Sequence, residues 1–362
     1  MENMVTMFEK LKSTYQGKRV FLTGHTGFKG AWMTALLNAM GAEVKGFALA
    51  PEYEGCIYSL LEKELDVDSV IADIRDKQRL INEILFFQPD YIFHLAAQPL
   101  VRRSYAIPAE TFEINVIGTA NILEALIHLN KPCAVVVITT DKVYENKEKN
   151  LLYNEADVLG GYDPYSASKA CTELLVNSFR NSFFNVAEYN VHHKAVASAR
   201  AGNVIGGGDF SENRIIPDIV RALTAQEVIA VRNPSSVRPW QHVLEPISGY
   251  LLLGALLNEN PVKYGKAYNF GPQPQDHLTV KELVELAISA WGKGEWKDNS
   301  DTNQPHEGHL LQLDIALAAQ ELQWLPKLDS KQAIAWTIDW YKKSLPEKVT
   351  FTFEQINSYL NL

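Results

Sequence analysis

Cysteine is scarce in this chain: Cys56, Cys133 and Cys171 are odd in number, far apart and without metal-ligand spacing. That pattern excludes a disulfide framework and a thiolate metal centre, and it fits reduced thiols in a cytoplasmic protein. Long apolar runs are missing as well. The longest, Leu251-Leu252-Leu253-Gly254-Ala255-Leu256-Leu257, is far too short to span a bilayer. No stretch concentrates lysine and arginine, and 34 basic against 43 acidic side chains leave a net charge of -9, which argues against a nucleic-acid surface. Low-complexity tracts, internal repeats and a Pro/Gly/Ser-rich linker are absent too. The 362 residues therefore read as one large or two coupled globular domains with a sizeable core. At the start, Met1 to Gln16 mixes charged and isolated apolar residues, the pattern of a surface helix rather than of a secretory signal.

What is present begins with a short apolar strand, Arg19-Val20-Phe21-Leu22-Thr23, running straight into Gly24-His25-Thr26-Gly27-Phe28-Lys29-Gly30. Glycines three apart at a strand-to-helix turn allow backbone to approach a diphosphate, while a helix opening near Phe28 aims unpaired N–H groups at the anion. The spacing is a variant of the dinucleotide fingerprint, although glycines also close ordinary turns. Downstream, apolar runs at Val44–Leu49, Tyr91–His94, Ala134–Thr139 and Ala195–Ala199 alternate with helix-period segments at Phe28–Met40, Asp76–Phe86, Pro108–Leu129 and Tyr165–Phe179. This rhythm predicts an α/β fold: a doubly wound parallel sheet of Rossmann type, with helices on both faces. After about Gly206 the alternation fades, and helices such as Val280–Trp291 and Ser330–Lys342 come in irregular order. A smaller, mixed α/β C-terminal lobe is expected there. The division is placed near residue 200, dinucleotide-binding before it and substrate-binding over 201–362, with the chain free to cross back. The two should share a cleft at the strand C-termini.

Several candidate residues fall where strands of such a sheet end. Asp73, followed by Ile74, either accepts a hydrogen bond from an adenine amino group or caps the helix near Asp76. The small residues Ala96 and Ala97, with Gln98, let backbone pass close to a ligand. Thr139-Thr140-Asp141-Lys142 closes one strand, and Tyr165-Ser166-Ala167-Ser168-Lys169 opens the next helix. At i and i+4, the Tyr165 phenol and the Lys169 ammonium project to one side. Ionising a phenol of pKa about 10 near pH 7 needs roughly 4 kcal/mol of differential stabilisation, which a neighbouring cation helps to supply. Tyr165 can then take the proton of an alcohol whose carbon gives up a hydride, with Thr140 bonding the same oxygen.

Taken together, these segments resemble the extended short-chain dehydrogenase/reductase superfamily from about Lys18 to Tyr341, and within it the nucleotide-sugar branch of the CDP-glucose 4,6-dehydratases. The motifs that carry the likeness are Gly24–Gly30, Ala96-Ala97-Gln98-Pro99-Leu100-Val101, Thr140-Asp141-Lys142, Gly161-Tyr162-Asp163-Pro164-Tyr165-Ser166, Arg200–Asp209 and Arg238-Pro239-Trp240-Gln241-His242-Val243. The resemblance implies that C4 of a CDP-bound glucose is oxidised, water is lost across C5 and C6, and the stored hydride returns to C6. The product would lead to deoxysugars of bacterial surface polysaccharides such as the O-antigen of lipopolysaccharide. It also implies NAD as cofactor, held by Gly24, Thr26, Gly27, Phe28, Gly30, Asp73, Ile74, Ala96, Ala97, Gln98, Thr139, Tyr165 and Lys169. No metal is implied.

Catalysis is expected from Thr140, Asp141, Lys142, Tyr165 and Lys169. The related dTDP-glucose dehydratases carry Asp-Glu where this chain has Asp141-Lys142, so a glutamate base cannot be carried over. Lys142 either removes the C5 proton as an amine or stabilises the enolate as an ammonium, while Asp141 protonates the departing C6 oxygen; an exposed salt bridge between the two is the plain alternative. For the nucleotide half, the resemblance points to Asn203, Arg214, Pro217, Arg232, Arg238 and Asn269, arginines being suited to a diphosphate. Arg238, in its Arg-x-Trp context, is preferred to Arg232, which reads also as a surface charge; Asn269 reads equally as a turn former, and His242 as a satisfied structural histidine rather than a catalyst. The second strand ends Ala48-Leu49-Ala50-Pro51, without the acid that usually receives the ribose 2′-hydroxyl of NAD, so a 2′-phosphate is not excluded. The resemblance further implies a homodimer, paired through the helices over Pro108–Leu129 and Tyr165–Phe179. The alternatives are a nucleotide-sugar 4-epimerase, a UDP-N-acetylglucosamine 4,6-dehydratase and a catalytically silent NAD-dependent sensor. The tail Thr350–Leu362, with Phe351, Phe353 and Ile356, is expected to dock on the body or on a neighbour.

Overall fold

In a strand buried on both faces, alternate side chains feed two separate cores, and each face needs a cover of helices. The strand Cys133–Ile138 shows this directly: Ala134, Val136 and Ile138 belong to one core, Cys133, Val135 and Val137 to the other. The structure is a computed structural model that describes residues 7–53, 55–147, 151–300 and 311–362. Seven strands, β1 (Arg19–Thr23), β2 (Glu43–Ala48), β3 (Val67–Ile71), β4 (Tyr91–His94), β5 (Cys133–Ile138), β6 (Lys194–Ala201) and β7 (Ala267–Phe270), form one parallel sheet, of which the edge strand β3 is the most exposed. Their order is β7-β6-β5-β4-β1-β2-β3. The chain thus winds outward from β1 to β3 and returns to β1 as β4. Thr23 is level with both Phe47 and His94, which leaves a crevice between the strand ends at this reversal.

The principal helices are α1 (Met7–Tyr15), α2 (Phe28–Ala39), α3 (Lys77–Phe87), α4 (Gly118–His128), α5 (Pro164–Ser182), α6 (Ile215–Ala225), α7 (Leu244–Glu259), α8 (Val280–Trp291), α9 (Ser330–Lys342) and α10 (Leu345–Leu360). Side chains of α1, α2 and α7 fill one core and those of α3, α4 and α5 the other, so the sheet is doubly wound as the sequence predicts. Of the surface helix expected over Met1–Gln16, residues 7–15 are helical, and the first six lie outside the described residues.

The helix expected over Pro108–Leu129 is not continuous. An α-helical turn at Pro108–Phe112 passes into a π-helical turn at Glu113–Ile117 before α4. The wider turn turns Asn115 inward, where its carbonyl accepts from Thr119 Oγ1 at 2.7 Å and Thr172 Oγ1 at 3.0 Å and its amide donates to Gln98 O and Ser168 Oγ.

Beyond β6 the chain forms short pairs rather than a second large sheet. Val204–Ile205 runs parallel to Gln241–His242, Ile229–Val231 to Trp296–Asp298, and Leu152–Tyr153 to Gln312–Leu313, while Val237–Arg238 is antiparallel to Leu278–Thr279. Between these pairs the chain re-enters the main sheet with β7. The tail is helical and docks on the body: Ile356 and Tyr359 are buried, and the Tyr359 hydroxyl donates to Glu245 Oε2 at 2.7 Å. His242 is not fully satisfied. It lies edge-on to Trp32 and Trp336, its Nδ1 accepts a long bond from Leu244 N, and its Nε2 is buried without a partner. Burial there pushes the imidazole down to about 3, so it stays neutral.

Candidate active site

At the crevice, the turn after β1 is shaped by two steric demands. Gly24 has φ +77, and a Cβ there would stand 2.8 Å from Ala96 N; a Cβ on Gly30 would collide with the Gly24 carbonyl. The third glycine, Gly27, precedes α2 in extended backbone and offers no side-chain cap, so the first N–H groups of that helix face the cleft. Thr26 Oγ1 donates to Leu49 O at 2.8 Å and ties the turn to the end of β2. No carboxylate follows that strand until Glu52, which is paired with Arg103 at 2.7 Å.

The cleft has a volume of about 1920 Å³, well beyond the several hundred Å³ of a site for one small ligand. Its dinucleotide side is lined by the predicted Gly24, Thr26, Gly27, Phe28, Gly30, Asp73, Ile74, Ala96, Ala97, Gln98 and Thr139. Asp73 does not cap a helix. Asp76 does so, accepting from Arg79 N, whereas Asp73 grips the Arg75 guanidinium at 2.7–3.1 Å and is held below the usual carboxylate range by it. The Gln98 amide is engaged by protein, donating to Thr111 Oγ1 and accepting from Leu100 N.

The five predicted catalytic residues meet on the cleft floor. Thr140 caps the turn Asp141–Val143 and donates from Oγ1 to Asp141 Oδ1 at 2.9 Å. Lys142 Nζ is 3.9 Å from the same oxygen, with a third of its side chain exposed. Opposite them, α5 starts under a cap in which the Asp163 carboxylate accepts from Ser166 N, with Pro164 fixing its first turn. That start presents Tyr165 within hydrogen-bonding reach of Thr140 and Lys169, whose Nζ donates to Ile138 O at 3.2 Å. Burial, with Asp141 nearby, pushes the phenol up to about 12, against the pull of Thr140 and Arg214. Burial also pushes the Lys169 amine down to about 8, with Glu173 opposing.

Asn203, Arg214, Pro217, Arg232 and Arg238, all from the chain beyond β6, line the cleft as well. Arg214 holds Asp209 at 2.9 Å, and Arg232 lines the cleft rather than standing as a detached surface charge. Asn269 is elsewhere. It is completely buried in β7, where its amide donates to Tyr153 O and Asp314 O and its Oδ1 accepts from the Tyr144 hydroxyl, so no group is left for a ligand.

Residues 21–337 match the GDP-mannose 4,6 dehydratase family. The chain belongs to that family. Among curated relatives, a CDP-glucose 4,6-dehydratase of Salmonella typhimurium is 46% identical over 91% of this chain and 92% of its own length. A dTDP-glucose 4,6-dehydratase of Streptomyces antibioticus is 32% identical over 76% of each. In three dimensions, a dTDP-glucose 4,6-dehydratase of Streptomyces venezuelae solved with NAD bound superimposes with a TM-score of 0.75 at 24% identity, covering 92% of this chain and 99% of that one. The likeness inferred from the motifs is thereby borne out, and the Rossmann-type architecture is that of the GDP-mannose 4,6 dehydratase family.

Lys29 is among the lining residues that received no individual role from the sequence. In the glycine turn, it lies 6.0 Å over the Tyr250 ring. Burial, together with Arg214 and Lys169, pushes its amine down to about 7, while Asp141 and Asp209 pull it up. Only folding brings those charges together, so sequence offered no signal beyond a lysine among glycines.

Proposed function

We propose that this protein converts CDP-D-glucose to CDP-4-keto-6-deoxy-D-glucose, with NAD as a cofactor that is regenerated in each turnover. The observation that carries the reading is the convergence of Tyr165, Lys169, Thr140, Asp141 and Lys142 on one floor between a diphosphate cradle and a set of arginines, joined to the close CDP-glucose 4,6-dehydratase relative. NAD fits the residues present: the cradle is free of Cβ atoms where backbone approaches backbone, and α2 opens with uncapped N–H groups. Held by the turn Gly24–Gly30 and the start of α2, NAD would supply a reversible hydride acceptor for C4 and donor for C6.

The protein's own groups handle the protons. Tyr165 takes the proton of the C4 hydroxyl, helped by the Lys169 ammonium. A C4 carbonyl then makes the C5 proton acidic, and Lys142 removes it as an amine. Asp141 protonates the C6 oxygen, and water leaves by β-elimination. As hydride arrives at C6, Lys142 returns the proton to C5. The balance leaves one extra proton on Tyr165 and one missing from Asp141. Thr140, placed between them, carries it across. Arg214, Arg232 and Arg238 hold the diphosphate, with Asn203 and Pro217 beside them. The lobe over 201–362 is thus the main substrate-binding part, and the chain up to 200 binds the dinucleotide. The three free thiols suit the cytoplasm, where activated sugars for O-antigen and lipopolysaccharide would be prepared. We further place a homodimer on the outer faces of Glu113–Ile117 and α5, which expose Ile117 and Leu174.

Incubation of the purified protein with NAD and CDP-, UDP- or dTDP-glucose tests the reading. A 4-keto-6-deoxy product from CDP-glucose, seen by NMR and by absorbance under alkali, is expected. Formation of the 4-epimer alone, or no turnover, overturns it.

A further inference from the structure

Behind the cleft floor lies a buried charged cluster that none of these roles uses. Glu173 stands on α5 one helical turn beyond Lys169 and two beyond Tyr165, with 4% of its side chain exposed. Its carboxylate receives three hydrogen bonds. Thr139 Oγ1 donates to Oε1 at 2.5 Å, and Ser198 Oγ and Arg200 Nη2 donate to Oε2 at 2.7 and 2.9 Å. Arg200 in turn donates to the Tyr144 hydroxyl, which donates to Asn269. The cluster therefore reaches from α5 across β5 and β6 to β7.

A buried ion pair is weak evidence for stability, because an apolar pair of the same volume packs there without the cost of desolvation. Its retention asks for another use of the charge. Lys169 is itself buried, and its Nζ donates to a neutral carbonyl, that of Ile138. Burial drives its amine toward the neutral form, Lys29 from α2 and the buried His94 from β4 also interact with it, and Glu173 is the carboxylate that opposes the loss of its proton. Thr139, gripped by the same carboxylate, immediately precedes Thr140. We infer that Glu173 is a positioning residue of this site: its charge keeps Lys169 an ammonium, and its hold on Thr139 fixes the strand tip that presents Thr140, Asp141 and Lys142. The inference rests on the roles assigned above to Lys169 and to that tip.

Lys169 is titrated by NMR in cofactor-free protein carrying 13Cε-labelled lysine, its resonance identified by loss in Lys169→Met. In Glu173→Gln the midpoint should fall by about one unit, a tenfold change in proton affinity. Glu173→Asp should keep the midpoint within a few tenths of a unit. The acid limb of the dehydration rate should move to higher pH in Glu173→Gln, since the phenol loses its cation, and return in Glu173→Asp. Should Glu173→Gln fail to fold around an unpaired Arg200, the double variant Glu173→Gln/Arg200→Gln removes both members of that ion pair, and the Lys169 midpoint still falls. A stationary midpoint in whichever of these folds, or equal slowing of the Gln and Asp variants with no shift in the acid limb, overturns the inference. The midpoint is read without substrate, so a failure of the dehydratase assignment leaves it standing, whereas a stationary midpoint in an active dehydratase removes the role of Glu173 alone.

Discussion

At the scale of single residues, the assignment turns on where protons go. Lys142 is partly exposed beside a buried Asp141, as suits a group that meets substrate rather than one locked into packing. Lys142→Met should leave C4 oxidation intact, visible as transient reduced-cofactor absorbance, while exchange of the C5 proton with solvent slows by about 100-fold or more. Exchange and elimination at wild-type rates in single turnovers would remove Lys142 from the chemistry. The residue types were legible in advance because their chemistry is local: a phenol and an ammonium four apart on a helix share a face whatever surrounds them. Asn269 shows the opposite case. Its amide can serve a ligand or the protein, and only the crowding of Tyr144, Tyr153 and Asp314 around β7 assigns all of it to the protein.

At the scale of elements, alternating apolar runs located the central strands because a strand buried on both faces is mostly apolar, and polar exceptions such as Ser198 and Arg200 in β6 are paired. The π-helical turn at Glu113–Ile117 escaped this reading, since several bonds that accompany it, from Thr172 to the Asn115 carbonyl and from the Asn115 amide to Gln98 and Ser168, join residues distant in the chain. The docking of α10 is a second tertiary decision, made by Glu245. This carboxylate accepts from Lys327 N, Leu328 N and the Tyr359 hydroxyl, and burial raises it to about 7. Tyr359→Phe should destabilise the fold by about 1–3 kcal/mol in denaturant titrations, with little change in turnover because the helix lies outside the cleft. A carboxyl raised on folding contributes stability that is present in full below its unfolded value and lost as pH rises through about 7. Glu245→Gln should therefore flatten the decline of stability between the unfolded carboxyl value and about pH 7; an unchanged slope would show that the carboxyl is not the source.

At the scale of the whole molecule, the apolar side chains left outside carry the remaining expectation. Ile117 and Leu174 are each more than half exposed, and burying them against a second copy is the economical use of that face. Leu174→Asp should halve the mass measured by light scattering, and an unchanged mass would place the interface elsewhere. The sequence alone determined the class of fold, the glycine turn after β1 and which side chains are proposed to react, because strand periodicity, the needs of a turn and acid–base chemistry act over a few residues. Tertiary structure decided the rest: the return of β7 to the sheet, the withdrawal of Asn269, the gathering of Lys29 with Arg214 and Lys169, and the hold of Glu173 on two strands. Each of these depends on charges and hydrogen-bond partners distant in the chain, and burial sets their strength only once the core has closed.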